Sequence, residues 1–226
     1  MENHVAVVTG GSGAVGAAVV QKLLAEGAQV LVADQVPPAL SDNKLKFFPT
    51  DVTNEQSIAA LVTQAVSIYG TVHALFNVAG GFKYGPGIDE LELADWDALI
   101  NLNLTSAFLS IKHILPLMKQ QKYGRIVSVS ARSGLRGDPM VGPYAVSKGG
   151  VILLTQSVAE ENKMYGITVN AVLPSIVDTP ANRLQMPESD FKSWVAPADL
   201  AEVMVFLGSE RARAVTGACL PVYNLA

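Results

Sequence analysis

The sequence predicts a doubly wound α/β domain, and three observations carry that prediction. Short apolar runs of strand length alternate with helical patterns along the whole chain. The first run, His4–Val8, passes directly into a glycine-rich turn and then into a helix pattern. The chain has 226 residues, enough for one α/β domain with a large core. A single, mostly parallel sheet of about seven strands is expected over residues 1–226, with helices on both faces.

The first strand is followed by Thr9-Gly10-Gly11-Ser12-Gly13-Ala14-Val15-Gly16, and a helical pattern then runs from Ala17 to Glu26. Gly27 stops that helix, and Gln29–Ala33 reads as a second buried strand. Strand, glycine turn, helix and strand in this order form a unit that binds a dinucleotide. The glycines let the backbone approach a pyrophosphate, and the helix N-terminus offers it free N–H groups. Gly10, Ser12, Gly13, Ala14 and Val15 are therefore candidate cofactor contacts. Asp34 ends the second strand, where a carboxylate accepts from ribose hydroxyls and repels a 2′-phosphate. No Arg or Lys stands in the glycine loop or directly after Asp34, so NAD is expected over NADP.

Pro37 and Pro38 interrupt the chain next, and few residues separate them from the apolar run Leu45–Pro49. A full crossover helix does not fit there, and a loop or single turn is expected. Asp51 and Val52 follow the third strand. They suit an adenine amino group and ring face; equally, Asp51 or Thr53 suits the cap of the helix starting near Asn54. That helix runs to Tyr69 and is closed by Gly70. Val72–Phe76 is the fourth strand, followed by Asn77-Val78-Ala79-Gly80-Gly81, where small residues admit a ribose close to the backbone. Asn77, Ala79 and Gly80 join the cofactor candidates.

Leu91–Gln120 holds one long helical pattern with Asn103 inside it. A buried amide must find partners, either as a satisfied core group or as the holder of a water in a proton path. Gly124–Ser130 is the fifth strand, and Ala131–Pro143 is a loop. Tyr144–Tyr165 is the next helix, which places Tyr144 and Lys148 four residues apart on one face. A nearby ammonium favours phenolate, so the tyrosine is expected to titrate below its ordinary value. Ile167–Leu173 is the sixth strand. The turn Pro174–Pro180 lies at its C-terminal end, where open α/β sheets bind ligands, so Pro174, Ile176 and Thr179 are expected near a nicotinamide. Ala181–Ala196 reads as an irregular cover, Pro197–Leu207 as a helix with Pro at its start, and Ala218–Val222 as the last strand. Phe82, Tyr84, the Ala131–Pro143 loop and Ala181–Trp194 line the substrate side by position. Phe191 and Trp194 either stack on a flat ligand or close the core.

Composition bounds the rest. Hydrophobic residues are 50% and charged residues 16% of the chain, a balance that suits burial between subunits. The net charge of −4 without a basic run argues against nucleic acid or an anionic membrane as partner. The single cysteine, Cys219, forms no disulfide within the chain, and no Cys/His cluster with metal-ligand spacing occurs. A reducing cytoplasm fits best. No charged n-region or cleavage site precedes the first strand, and no uninterrupted apolar run of membrane-spanning length stands out.

Taken together, the motifs resemble those of the short-chain dehydrogenase/reductase family over essentially the whole chain. They are T-G-x-x-x-x-x-G at Thr9–Gly16, Asp51-Val52, N-x-A-G at Asn77–Gly80, Asn103 in Asn-Leu-Thr, Gly124–Val127, Y-x-x-x-K at Tyr144–Lys148, and Pro174 with Thr179-Pro180. The resemblance implies a Rossmann-type fold, a nicotinamide cofactor, a small-molecule substrate and a homotetramer or homodimer. It implies that Tyr144 is the general acid/base, that Lys148 binds the nicotinamide ribose, and that Asn103 supports a water relay. Ala14, Val78 and Ser175 are minor departures. Ala131 is a major one: it stands where the family carries its catalytic serine, whereas Ser130 is expected on the opposite strand face and Ser133 lies two residues on, in a loop. Loss of such a donor costs about 2–4 kcal/mol at a transition state. Three functions follow. The broad expectation is an NAD-dependent carbonyl/alcohol oxidoreductase. A quinonoid dihydropteridine- or quinone-type reductase would not need the serine, and dihydropteridine reductases resemble this chain in carrying alanine there and in their compact second-to-third strand connection. The last is a catalytically quiet dinucleotide-binding protein. Substrate identity and reaction direction are not legible.

Overall fold

The computed structural model describes residues 1–225. Seven parallel strands form one sheet in the order β3-β2-β1-β4-β5-β6-β7. They are β1 (Val5–Thr9), β2 (Gln29–Asp34), β3 (Leu45–Pro49), β4 (Ala74–Asn77), β5 (Gly124–Val129), β6 (Ile167–Pro174) and β7 (Cys219–Val222). The expected doubly wound α/β architecture is therefore present.

Alternate residues of each strand feed two separate cores, as the pleat requires. Val5, Val7, Leu31 and Ile126 face one layer; Ala6, Val8, Val32 and Val127 face the other. The first layer holds α2 (Glu55–Tyr69), α4 (Ser106–Gln121) and α5 (Gly142–Asn162), through Ile58, Ile114 and Ala159 among others. The second holds α1 (Ala14–Ala25) and α7 (Pro197–Leu207), through Leu23, Leu200 and Met204. Both faces are covered, so β1, β2, β4, β5 and β6 are buried nearly throughout. Edge strand β3 is only partly buried and carries Lys46 and Pro49, residues that discourage edge pairing.

No helix joins β2 to β3, as the two prolines predict. Other boundaries differ from the sequence reading. Helix α1 starts at Ala14, inside the glycine stretch rather than at Ala17. Gly16 permits this, because a Cβ there would stand 2.0 Å from the carbonyl oxygen of Gly10. Gly10 itself has φ +67° and packs against the backbone of Ala79. The cover segment is less irregular than expected. It contains α6 (Pro180–Gln185), a one-turn 3₁₀ helix at Phe191–Ser193, and a bridge between Val177 and Val195.

The long helical pattern begins at Leu93 and is interrupted once. Helix α3 (Leu93–Ile100) passes through a π turn at Asn101–Thr105 into α4. By length and composition alone, this 29-residue run would suffice to cross a membrane, although Asp95, Asp97 and Lys112 interrupt its apolar residues. Its inner face, including Leu109, Ile114 and Met118, is packed against the sheet.

Candidate active site

The sheet order reverses at β1, so the chain leaves β1 and β4 in opposite directions above their C-terminal ends. That divergence opens a crevice, the usual ligand position in open α/β sheets. Two contiguous hollows occupy it. One is a groove of about 750 Å³ bordered by Gly13, Ala14, Asp34, Val52, Ala79 and Thr179. The other is a cleft of about 300 Å³ between Ala131, Tyr144, Lys148, Ile176 and Met186. Val15, Val78, Gly80 and Thr179 border both.

The groove has the backbone features that suit a dinucleotide. No side chain caps the N-terminus of α1, so its first-turn N–H groups remain for a ligand. Ser12 N–H donates to one Asp34 carboxylate oxygen at 3.0 Å, and Gln35 N–H donates to the other at 2.7 Å. This fixes the carboxylate at the end of the groove with lone pairs to spare for two hydroxyls. Asp34 is the only charged side chain on the groove wall, and no Arg or Lys borders it.

Not every cofactor candidate reaches this wall. The Ser12 hydroxyl is committed to the carbonyl of Val36 at 2.7 Å. Asp51 turns outward: its Oδ1 accepts from Thr53 N–H at 2.9 Å and from the Thr53 hydroxyl at 2.7 Å, which lowers its pKa. The local turn therefore takes Oδ1 of Asp51, while Asn54 caps α2 by accepting from Ser57 N–H. Asn77 is buried beneath the crevice, with its amide on the Ser128 hydroxyl at 3.2 Å. The other predicted positions, Gly10, Gly13, Ala14, Val15, Val52, Ala79, Gly80, Pro174, Ile176 and Thr179, line one hollow or the other.

Helix α5 starts two residues before Tyr144, so Tyr144 and Lys148 occupy its first two turns beneath the cleft. Lys148 is 4% exposed, and its ammonium donates to the Val129 carbonyl at 2.9 Å. Its Nζ lies 5.9 Å from the centre of the Tyr144 ring. The Phe82 edge packs on Tyr144, with ring centres 4.9 Å apart. Asn103, on the π turn, is clamped by Gly81 on both sides: its Oδ1 accepts from Gly81 N–H at 2.9 Å and its Nδ2 donates to Gly81 O at 3.0 Å. The same Nδ2 reaches Ser147 Oγ at 3.2 Å, and the Ser147 hydroxyl donates to Tyr144 O at 2.8 Å. A Cβ placed on Gly80 would stand 2.8 Å from Asn103 Oδ1 and 3.2 Å from Lys148 Nζ. The amide and the amine therefore flank the same glycine.

Electrostatics around Tyr144 run against the simple expectation. Burial pushes the phenol up to about 12 instead of down, and burial brings the Lys148 ammonium down to about 8. Desolvation penalises both charged forms. At 5.9 Å, with its own proton held less firmly, the lysine does not reverse the effect on the tyrosine.

Ser130, Ala131 and Ser133 all border the cleft, so Ser130 does not face away from it as expected. Ala131 is extended, buried, and on the cleft wall. The Ser130 hydroxyl is spent on the Lys148 carbonyl at 2.7 Å, which ties β5 to α5. Ser133 lines the cleft from a one-turn 3₁₀ helix, Arg132–Gly134. Of the positional candidates, Phe82 lines the cleft. Tyr84 points to solvent at 66% exposure, and Trp194 is buried and packs on Phe191 to close the core. Ser147 and the π turn escaped the sequence reading. The only signal for the first is that it sits within the Tyr-to-Lys spacing.

Comparison with known proteins agrees with this geometry. The short chain dehydrogenase family profile matches residues 4–189. A cis-4-hydroxycyclohexanecarboxylate dehydrogenase of Sinomonas cyclohexanicum is 36% identical, over 97% of this chain and 94% of its own. Among solved structures, levodione reductase superposes with TM-score 0.91 at 26% identity, covering 98% of this chain and 96% of that one. The protein ElxO with NADP bound superposes with TM-score 0.92 at 25% identity, covering 98% of each. A profile spanning most of the chain, a closely similar dehydrogenase and a shared seven-stranded architecture place this protein in the short-chain dehydrogenase family, as an oxidoreductase with a nicotinamide dinucleotide site.

Proposed function

We propose that the protein is an NAD(H)-dependent oxidoreductase that interconverts a secondary alcohol and its ketone, with Tyr144 as general acid/base. The observation that carries this reading is the placement of Tyr144 and Lys148 in the cleft that continues the dinucleotide groove. A bound nicotinamide supplies or accepts the hydride. Tyr144 is protonated at neutral pH, the form needed to donate a proton to a carbonyl oxygen. Lys148, anchored on Val129 O, positions the nicotinamide ribose and replenishes the tyrosine proton. Asn103 acts by holding the Gly81 backbone and Ser147 in register beneath the reacting groups. Asp34 holds the adenosine ribose, and its charge in a groove bare of cations favours NAD over NADP. The hydroxycyclohexane ring in the relative's name points to a cyclic alcohol as substrate.

Ala131 favours a second reading, reduction of a quinonoid ring that accepts hydride without a serine donor. An NADH- and NADPH-consumption screen over cyclic ketones, quinones and quinonoid dihydropterin, run with the native protein and Ala131→Ser, tests both. The main reading expects faster consumption of NADH than of NADPH with ketones, and a gain of roughly tenfold or more for Ala131→Ser. Native activity confined to quinonoid substrates, with no gain in the variant, selects the second. No consumption with any acceptor returns the protein to a purely binding role.

The protein is also proposed to assemble as a homo-oligomer through α4 and α5. Phe108, Val146 and Leu153 are exposed there, beside a groove formed with Lys112, Leu115 and Glu161.

A further inference from the structure

Arg132 is half-buried on the wall of the cleft that holds Tyr144. Its guanidinium lies 5.6 Å from the ring centre of Tyr223. Tyr223 is tied to the cleft by its carbonyl, which accepts from the Ser175 hydroxyl at 2.7 Å. Among the described residues, no carboxylate stands within ion-pair reach of Arg132. No side-chain donor of Arg132 is matched by an acceptor in the network that fixes Asn103, Ser147 and Lys148. A planar fork of five N–H groups is held near an aromatic face, and among the described residues its side chain makes no hydrogen bond.

The cleft as a whole has the same bias. Among the described residues, Arg132 and Lys148 are its only charged side chains, and no Asp or Glu lines it. This holds in a chain whose net charge is −4. A cleft lined by one sign of charge focuses ligands of the opposite sign toward it, even on a protein of net negative charge. Lys148 donates to Val129 O and is the cation assigned to the nicotinamide ribose, which leaves Arg132 to meet a substrate anion.

We propose that Arg132 determines specificity by binding a carboxylate carried by the substrate, away from the carbon that exchanges hydride. The proposal rests on the oxidoreductase reading and narrows its substrate to a small hydroxy or oxo acid. Bidentate pairing of guanidinium with carboxylate fixes orientation as well as affinity. It also bears on Ala131. With no hydroxyl at that position to hold the reacting oxygen, a charged anchor at the other end of the substrate positions the carbonyl over Tyr144. Binding energy from a remote group is then spent on orientation at the reacting centre.

The test uses the full chain saturated with NAD⁺, in which a ketone binds without being turned over. Calorimetry compares 4-oxocyclohexanecarboxylate with its methyl ester on the native protein, Arg132→Gln and Arg132→Lys. The native protein should bind the acid about 10- to 100-fold more tightly than the ester. Arg132→Gln should bring that ratio close to one, and Arg132→Lys should keep part of it, because the charge remains and the fork is lost. A native ratio near one, no measurable binding of the acid, or an undiminished ratio in Arg132→Gln overturns the proposal. Should both variants fail to fold, the native ratio and its decline with added salt still decide. NADH consumption with the same pair separates the two readings. Turnover of both ketones without discrimination sinks the anchor and leaves the oxidoreductase. An Arg132-dependent ratio without turnover does the reverse.

Discussion

The groove and the cleft share one crevice but are made of different materials. The groove is mostly backbone: the uncapped start of α1, the close approach of Gly10 to Ala79, and one fixed carboxylate at Asp34. The cleft is mostly side chain: Asn103, Ser130, Ser147 and Lys148 join a π turn, a strand end and a helix in one buried network. A backbone site recognises through atoms common to every residue, and its demand on side chains is that none intrude, as at Gly10 and Gly16. A side-chain site concentrates its chemistry, and its desolvation cost, in a few positions. The shifts of Tyr144 to about 12 and Lys148 to about 8 are the signature of that concentration.

The largest effect expected from this contrast is at Tyr144. Tyr144→Phe removes the proton donor while keeping the ring that packs on Phe82, and should lower kcat by about 10²- to 10⁴-fold. NADH affinity, measured by fluorescence titration, should change far less, since the groove is untouched. Comparable losses in both would break the division between groove and cleft.

Smaller and opposite in kind is Asp34→Ala. It should reduce the NADH-to-NADPH preference by about 10- to 100-fold, because the repulsion of a 2′-phosphate disappears along with the ribose acceptor. Steady-state kinetics with each cofactor reads this ratio. If the ratio stays the same, preference resides elsewhere along the groove.

The smallest effect concerns stability. Lys148 is fully enclosed, and its folded pKa of about 8 lies below the ordinary 10.5. Below pH 8 it is charged both folded and unfolded, so the burial penalty is fully present. Between pH 8 and 10.5 the unfolded chain binds the extra proton, and stability rises with pH. Lys148→Met should therefore stabilise the protein by about 1–3 kcal/mol at pH 7, the desolvation relieved less the hydrogen bond lost by Val129 O. That gain should fade by pH 10.5, while activity is lost throughout. Urea melts at pH 7 and 10.5 measure it; destabilisation at pH 7 would mean that the buried amine is net favourable where it sits.

The same contrast explains what the sequence made legible. The groove is local: Thr9–Gly16 and Asp34 fall within one β-α-β unit, so composition and order expose it. Asp51, Asn77 and the Ser12 hydroxyl stand off the groove wall, each bonded to another protein group. The cleft was legible only in part. Tyr144 and Lys148 share a helix face and could be found by spacing, and the resemblance located Ala131. Ser147 and Arg132 gain meaning only when Asn103, 44 residues before Ser147, and Tyr223, near the end of the chain, are folded against them. The direction of the Tyr144 shift was misjudged because spacing reveals a neighbouring cation but not the solvent that both groups lose.

The most direct test is the crystal structure of the native protein with NADH bound. The account predicts the adenosine ribose on Asp34, the pyrophosphate on the N–H groups that open α1, and the nicotinamide ring between Ile176 and the Tyr144 hydroxyl. A nicotinamide ring placed away from Tyr144, or crystals that take up no nucleotide at saturating NADH, would contradict it.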